Sequence, residues 1–106
     1  MIYCHTSVIS HEIEFLISYE RGPDGKDALV VKTFRDGVPL GIVRQRRIFM
    51  PALDPNLIDV EAWHLGAVRL TSQNIAAIKR DVLAAVNRMR QRAIAAGILN
   101  SQGEPI

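Results

Sequence analysis

Hydrophobic and polar residues alternate along the chain from residue 12 to residue 20. Every second position is apolar, and Leu16 is the one apolar residue on the polar side. A period of two is typical of a strand that buries one face. The residues predicted to be buried are Ile13, Phe15, Ile17 and Tyr19. Residues 1–11 show no clear period, so we expect them to form an N-terminal arm.

A second alternating segment, residues 28–35, ends at Asp36-Gly37. Asp-Gly is the preferred pair for a two-residue type I′ hairpin turn, because both central residues need positive φ. In a regular ladder this turn pairs Arg35 with Val38, Thr33 with Leu40 and Val31 with Ile42. Cross-strand partners share a face, so one face is predicted to carry Leu29, Val31, Leu40 and Ile42, and the other Val30, Lys32, Phe34, Val43 and Gln45. The alternation falters over residues 44–47, which predicts a bulge or an edge there.

A long amphipathic helix is predicted near the end of the chain. Thr71 or Ser72 is a suitable N-cap, and Gly97 is a suitable stop. Between the hairpin and this helix, residues 51–59 are predicted to form a loop and residues 62–70 a weaker fourth strand. The apolar stripe of the helix consists of Ile75, Ile78, Val82, Val86, Met89 and Ala93.

The order of these elements predicts an α+β domain. An antiparallel meander of three to four strands is followed by one long C-terminal helix that packs on one face of the sheet. No segment between the strands is periodic enough for a βαβ crossover, which argues against Rossmann-like and ferredoxin-like folds. We therefore expect a single domain over residues 12–99, preceded by the arm of residues 1–11 and followed by a flexible tail over residues 100–106.

Composition agrees with one globular domain. The chain has 106 residues, of which 48% are hydrophobic and 23% are charged, and both values are ordinary for a folded soluble protein. Cys4 is the single cysteine, so an internal disulfide is excluded and a reducing compartment is expected. The sequence shows no signal peptide and no apolar run long enough to span a membrane. These features predict a cytoplasmic protein without a membrane partner.

The sequence offers no motif that carries catalysis. Cys4, His5, His11 and His64 lack the close spacing of zinc ligands. The glycines lie at turns or in strands rather than between a strand and a helix, so a phosphate-binding loop is not predicted. We predict that the protein is not an enzyme, with no catalytic residues, no metal and no cofactor.

Charge is concentrated on the predicted hairpin. Cations that neutralise phosphates, beside aromatic rings that stack on bases, are what a sheet needs to bind single-stranded nucleic acid. The alternative is that these cations are solvated side chains that keep an edge strand from pairing with other molecules. The candidate binding residues are the cations Lys32, Arg35, Arg44, Arg46 and Arg47 and the aromatics Phe34 and Phe49.

Residues 28–90 resemble the positive-cofactor (whirly-like) class of single-stranded-DNA-binding transcriptional regulators. The likeness lies in Phe34-Arg35-Asp36-Gly37, in Arg47-Ile48-Phe49, in Asp54-Pro55, and in Ala67-Val68-Arg69-Leu70 running into Thr71-Ser72-Gln73. In that class four antiparallel strands precede one helix, the helices pack in a homodimer, and the sheets grip single strands. The resemblance implies that Lys32, Phe34, Arg44, Arg46 and Arg47 line such a surface.

The sequence thus predicts a small nucleic-acid-binding protein, for single-stranded DNA or RNA, that uses a basic β-hairpin surface. The alternative is a protein-interaction or dimerisation module with no nucleic-acid role, because the same layout also resembles small bacterial proteins of no assigned activity. A homodimer is expected because the helix, about 38 Å long, exceeds the roughly 33 Å diameter of a compact chain of this length. The residues predicted to form the dimer interface are Leu83, Arg90 and Ile94.

Overall fold

The computed structural model describes residues 1–46 and 71–106 of the chain. Four strands, β1 (Ile2–Ser10), β2 (Ile13–Arg21), β3 (Asp27–Arg35) and β4 (Val38–Arg46), precede one helix, α1 (Ser72–Ala95). The strands form an antiparallel sheet in the order β1-β2-β3-β4. This meander followed by a C-terminal helix confirms the predicted α+β fold. The predicted loop at residues 51–59 and strand at residues 62–70 lie outside the described residues.

The core lies between one face of the sheet, which we call the inner face, and α1. The strand β2 contributes the four residues that its alternation predicts, and all four are at most 1% exposed. From the helix come Ile78, Val82, Ala85, Val86, Met89 and Ala93. The predicted helical stripe is therefore confirmed, except that Ala85 joins it and Ile75 is only partly buried.

Residues Ile2–Ser10 form the strand β1, so the predicted N-terminal arm of residues 1–11 is wrong over these nine residues. Side chains of β1 on the inner face are short or polar, such as Thr6 and Ser10, and α1 covers them. Ser10 Oγ donates to Asp81 Oδ2 at 2.7 Å, and Arg92 Nη2 donates to Thr6 Oγ1 at 3.4 Å. Because polar residues occupy both faces of β1, the sequence lacks the apolar alternation that marks a strand.

The turn between β1 and β2 is His11-Glu12, and both residues have positive φ, 51° and 65°. Positive φ at both central positions is the type I′ geometry, which Asn, Asp and Gly favour. A Glu residue with positive φ is sterically unfavourable, because its Cβ approaches the following carbonyl oxygen. This turn is therefore encoded by the pairing of its strands and not by its own residues.

The turn between β3 and β4 is the predicted Asp36-Gly37, with φ of 51° and 77°. Arg35 pairs with Val38 as predicted, but the ladder then shifts, because Phe34 pairs with Pro39 and Thr33 with Gly41. Leu40 is thus the extra residue of a β-bulge. For residues 44–47 the sequence predicts a bulge or an edge: the ladder is regular from Gly41 to Arg46, so there is no bulge at residues 44–46, whereas β4 does lie at an edge of the sheet that the described residues form.

This bulge moves every later residue of β4 by one position relative to the prediction. Ile42 pairs with Lys32 and is 66% exposed, so its predicted burial is wrong. Leu40 is partly buried against the core. Val43 pairs with Val31 and Gln45 with Leu29, whereas the sequence analysis placed Val43 and Gln45 on the other face from those residues.

Both ends of α1 are capped as expected. Thr71 Oγ1 accepts from the Asn74 backbone N–H at 3.1 Å. At the other end Gly97 has φ of 76°, and the N–H groups of Gly97 and Ile98 donate to Ile94 and Ala93 at 3.1 and 2.9 Å. That pair of bonds is the Schellman motif, which needs a left-handed residue where Gly97 stands. In the parts of the chain that the structure describes, no helix is long and apolar enough to cross a membrane.

Residues 100–106, which the sequence predicts to be a flexible tail, form a closed turn in the structure. Leu99 pairs with Pro105 in an isolated bridge, and the Ile106 N–H donates to the Ile98 carbonyl at 3.3 Å. The Asn100 side chain accepts from the N–H groups of Gln102 and Glu104. Local polar bonds of a single Asn therefore order a segment that has little apolar surface to bury.

A polar cluster joins the first three strands at the end of the sheet near Met1. Asp27 accepts from the Tyr3 hydroxyl at 2.8 Å and from Arg21 Nε at 3.1 Å. The hydrogen bonds from Arg21 and Tyr3 hold the pKa of the Asp27 carboxyl below its usual range, against the opposing effect of desolvation. Burial, together with this carboxylate, raises the pKa of Tyr3, so the phenol stays protonated at neutral pH.

We expect Glu12→Gly to stabilise the protein by roughly 0.5–1 kcal/mol, because glycine adopts positive φ without strain. The ion pair of Glu12 with Arg35, at 3.4 Å, is exposed and adds little. Urea unfolding measures the change. Glu14→Gly, in the regular part of β2, is the matched control and should destabilise. A loss of stability in Glu12→Gly would contradict a strained turn.

We expect the contribution of Asp27 to stability to depend on pH. Its pKa is lowered in the folded state, so its stabilisation is present at neutral pH and is lost as pH falls below about 4. The free energy of unfolding of Asp27→Asn should lie below that of the unmodified protein at pH 7, and the two should converge in acid. At pH 7, Tyr3→Phe should lower the free energy of unfolding by less than Asp27→Asn does. If the difference in the free energy of unfolding between Asp27→Asn and the unmodified protein did not change with pH, this explanation would be excluded.

Candidate nucleic-acid interface

The face of the sheet opposite α1, called the outer face here, carries the candidate cations. The register places three rows of residues across it. One row is His5, Ser18, Val30 and Arg44; the next is Ser7, Leu16, Lys32 and Ile42; the third is Ile9, Glu14, Phe34 and Pro39. Three of the predicted binding residues, Lys32, Phe34 and Arg44, therefore share one face.

The bulge at Leu40 is the reason that Arg44 joins this face. In the predicted ladder Arg44 lies opposite Leu29, whose side chain is fully buried under α1. In the observed ladder Arg44 lies opposite Val30, next to the Lys32–Ile42 pair. The single extra residue thus exchanges the two faces of β4 and brings two cations of neighbouring strands together.

The Arg44 side chain crosses β3 and reaches β2. Its Nη1 donates to Glu20 Oε1 at 3.3 Å, and Glu20 Oε2 also accepts from Ser18 Oγ at 2.9 Å. The guanidinium lies over Gly22, where an added Cβ would come within 2.5 Å of Nη2. Arg44 is thereby held on the outer face by a carboxylate that a phosphate could replace.

A cavity of about 510 Å³ lies on the outer face and extends to the β1 edge. Its polar lining includes the hydroxyls of Ser7 and Ser18, the carboxylate of Glu20 and the ammonium of Lys32. Leu16, 38% exposed, is an apolar part of its lining, and Arg92 of α1 lies at its border beside Thr6. Within the described residues Lys32 has no ion-pair partner, and its side chain is exposed.

The remaining predicted binding residues on β3 have acidic surroundings. Arg35 lies at the end of the strand and pairs with Glu12, away from this cavity. Phe34 is half-buried and borders a smaller cavity of about 280 Å³ together with Glu12, Glu14 and Asp36. The structure therefore brings Lys32 and Arg44 together but places Arg35 elsewhere.

The last three candidate residues in the sequence are Arg46, Arg47 and Phe49. Arg46 pairs with Ala28 in the ladder, one step beyond the Arg44 row. Arg47 and Phe49 lie outside the described residues, so their place in the interface stays a prediction.

The residues predicted to form a dimer interface lie on one flank of α1. Leu83 and Ile94 are partly buried and pack against the core of their own chain. The Nε of Arg90 is buried and has no hydrogen-bond partner in the described parts of the chain. The flank of α1 that is predicted to form the dimer interface is therefore partly covered by the chain itself.

Several residues of the cavity were not predicted. Leu16, Ser18 and Glu20 could have been found, because the alternation in β2 assigns them to the face opposite its buried residues. His5 and Ser7 could not, because β1 was not predicted to be a strand. Arg92 comes from α1, and its proximity to Thr6 depends on helix packing that no local pattern reports.

Among the described residues, the surroundings of Ser10 and of Cys4 do not activate either side chain as a nucleophile. Ser10 Oγ gives its proton to Asp81 and lies 3.1 Å from His11 Nδ1, whereas an active serine gives its proton to a histidine that an acid orients. Burial raises the pKa of the Cys4 thiol, which disfavours the reactive thiolate. Among residues 1–46 and 71–106, no three His, Cys, Asp or Glu side chains are grouped to hold a metal ion.

Comparison of the chain with protein-family models, with curated proteins and with solved structures found no match. The resemblance to the positive-cofactor class therefore stays a prediction that rests on residues and topology.

We expect insertion of one alanine between Gly41 and Ile42 to destabilise the protein by about 3 kcal/mol or more, because it would move the Arg44 charge from its place opposite Val30 to one opposite Leu29, without a partner. Leu40→Ala keeps the extra residue and should cost only the lost side-chain packing, roughly 1–2 kcal/mol. Urea unfolding of both variants gives the comparison. Equal losses would show that the bulge does not determine the faces of β4.

Proposed function

We propose that the outer face of the sheet binds single-stranded nucleic acid. One observation carries the proposal: the bulge at Leu40 puts Arg44 beside Lys32 on the face opposite α1, where both side chains are exposed. Had Arg44 lain opposite Leu29, the hairpin cations would have been divided between the two faces. A cytoplasmic location fits this function, because the free Cys4 thiol suits a reducing compartment.

The chemistry of the outer face, inside the cavity and beside it, suits a strand with accessible bases. Lys32 and Arg44 can neutralise phosphates, and the Ser7 and Ser18 hydroxyls can bond to sugar or phosphate oxygens. Leu16 and Ile42 flank Lys32 in the same row and offer apolar contact to base faces, with Phe34 in the next row as the aromatic ring. Bases stack on such platforms without strong sequence preference.

Glu20 acts against this binding. Its carboxylate occupies Arg44 at 3.3 Å and adds a negative charge to the cavity. A phosphate must displace this carboxylate before Arg44 can bind it. The proposal therefore requires that removing the Glu20 charge strengthens binding, although Glu20 lies within the site.

The test is fluorescence anisotropy of a labelled oligothymidylate of about 20 nucleotides, titrated between roughly 20 and 200 mM salt. We expect Lys32→Ala and Arg44→Ala each to reduce the slope of log affinity against log salt by about 0.7, one phosphate contact apiece. Glu20→Gln should raise affinity severalfold.

Arg80→Ala is the matched control, because Arg80 lies on α1, on the other side of the sheet, with its side chain 77% exposed. Its binding should equal that of the unmodified protein. An equal loss in Arg80→Ala would reveal attraction to charge in general and not a site. Absence of binding at the lowest salt would overturn the proposal and leave the protein-interaction module as the function to test.

A further inference from the structure

Within the described residues β1 is an edge strand of the sheet, and its one neighbour is β2. Its sequence, Ile-Tyr-Cys-His-Thr-Ser-Val-Ile-Ser, contains no Lys, Arg, Asp, Glu or Pro. Proteins usually protect exposed edges with such residues, because unpaired backbone groups there invite another strand. This edge carries none of them.

The turn geometry shows which backbone groups point outward. The two-residue turn at His11-Glu12 makes Ser10 and Ile13 a hydrogen-bonded pair, and such pairs alternate along an antiparallel ladder. Ser10, Val8 and Thr6 therefore bond to β2. Ser7 and Ile9 alternate with these residues, so their backbone N–H and C=O groups point away from β2 and can bond to a further strand.

Two opposite charges of α1 lie along this edge. Arg92 bonds to Thr6 at 3.4 Å, and Asp81 bonds to Ser10 at 2.7 Å. The helix thus places a cation beside one position of β1 and an anion beside another position four residues away. Arg88, one turn before Arg92 on the same side of α1, adds a second cation near them.

We propose that β1 pairs antiparallel with β1 of a second copy of this chain, about a two-fold axis at Val8. Thr6 then lies opposite Ser10 of the second copy, and Ser7 lies opposite Ile9. Directly opposed residues have Cβ atoms about 5 Å apart, so Arg92 meets Asp81 of the second copy. The two-fold axis repeats this ion pair, as in any isologous interface.

Two other registers, with axes at Thr6 and at Ser7, lose this charge complementarity. An axis at Thr6 would pair all nine residues of β1, but it would bring Arg92 against Arg92 of the second copy. With an axis at Ser7, Thr6 would lie opposite Val8, and Arg92 would have no carboxylate opposite it. The charges along the edge therefore select Val8.

The pairing would join two four-stranded sheets into one sheet of eight strands. Ser7 lines the outer-face cavity, so the cavities of the two copies would lie side by side at the axis. The proposal does not depend on nucleic-acid binding, because dimerisation is measured on the protein alone.

The first test is disulfide trapping, in a Cys4→Ser background. In the proposed register, Val8 of one chain lies directly opposite Val8 of the second copy, and the two residues do not hydrogen-bond to each other. The Cα atoms of such a pair are about 4.5 Å apart, a distance that a disulfide can span. Val8→Cys should form a covalent dimer under mild oxidation, and Thr6→Cys should not. Trapping through Thr6→Cys instead would overturn the register, and trapping through neither would overturn the interface.

The second test is charge reversal with mass measured by light scattering. The unmodified chain has a mass of 11.8 kDa, and light scattering should measure a mass of twice this value. Arg92→Asp and Asp81→Arg should each give monomers, and the double variant should restore the dimer. Lys79→Asp, about 200° around the helix from Asp81, is the control and should stay dimeric. A monomeric unmodified protein at about 100 μM, or a double variant that stays monomeric although folded by circular dichroism, would overturn the proposal.

Discussion

The position of one extra residue in β4 determines what each face of the sheet can do. A strand has a side-chain period of two, so a shift of one position exchanges its faces. With Leu40 set aside as a bulge, the inner face of β3 keeps its apolar surroundings, and the cation of Arg44 remains in contact with water and with Glu20. Core stability and surface charge therefore depend on the same irregularity.

Much of the fold could be predicted from local pattern. The alternation of β2, the Asp36-Gly37 turn and the stripe and caps of α1 each report a structure that neighbouring residues dictate. The bulge could not be predicted, because Val-Pro-Leu-Gly contains no signal that prefers Leu40 over Pro39 as the unpaired residue. The strand β1 could not be predicted from local pattern, because it is stabilised by β2 and by a helix that begins more than sixty residues later.

The residues of the candidate site that could be predicted are those whose face follows from the alternation of side chains along a strand. Lys32 and Phe34 lie on one face by period alone, whereas the inclusion of Arg44 required the bulge. The electrostatic balance of the site depends on Glu20 and Glu12, acidic residues of β2 and its preceding turn that meet the hairpin cations only in three dimensions. A count of cations along the sequence overstated the positive charge of this surface.

The hydrogen bond between Ser10 and Asp81 joins residues 71 positions apart, and this separation has a consequence for biosynthesis. The hairpins close through turns of a few residues and can form as soon as they leave the ribosome. The helix that covers their apolar face is translated after them. At the roughly 5–20 residues per second of synthesis, the inner face therefore stays uncovered for several seconds, an interval in which chaperones can bind it and nascent chains can associate through it.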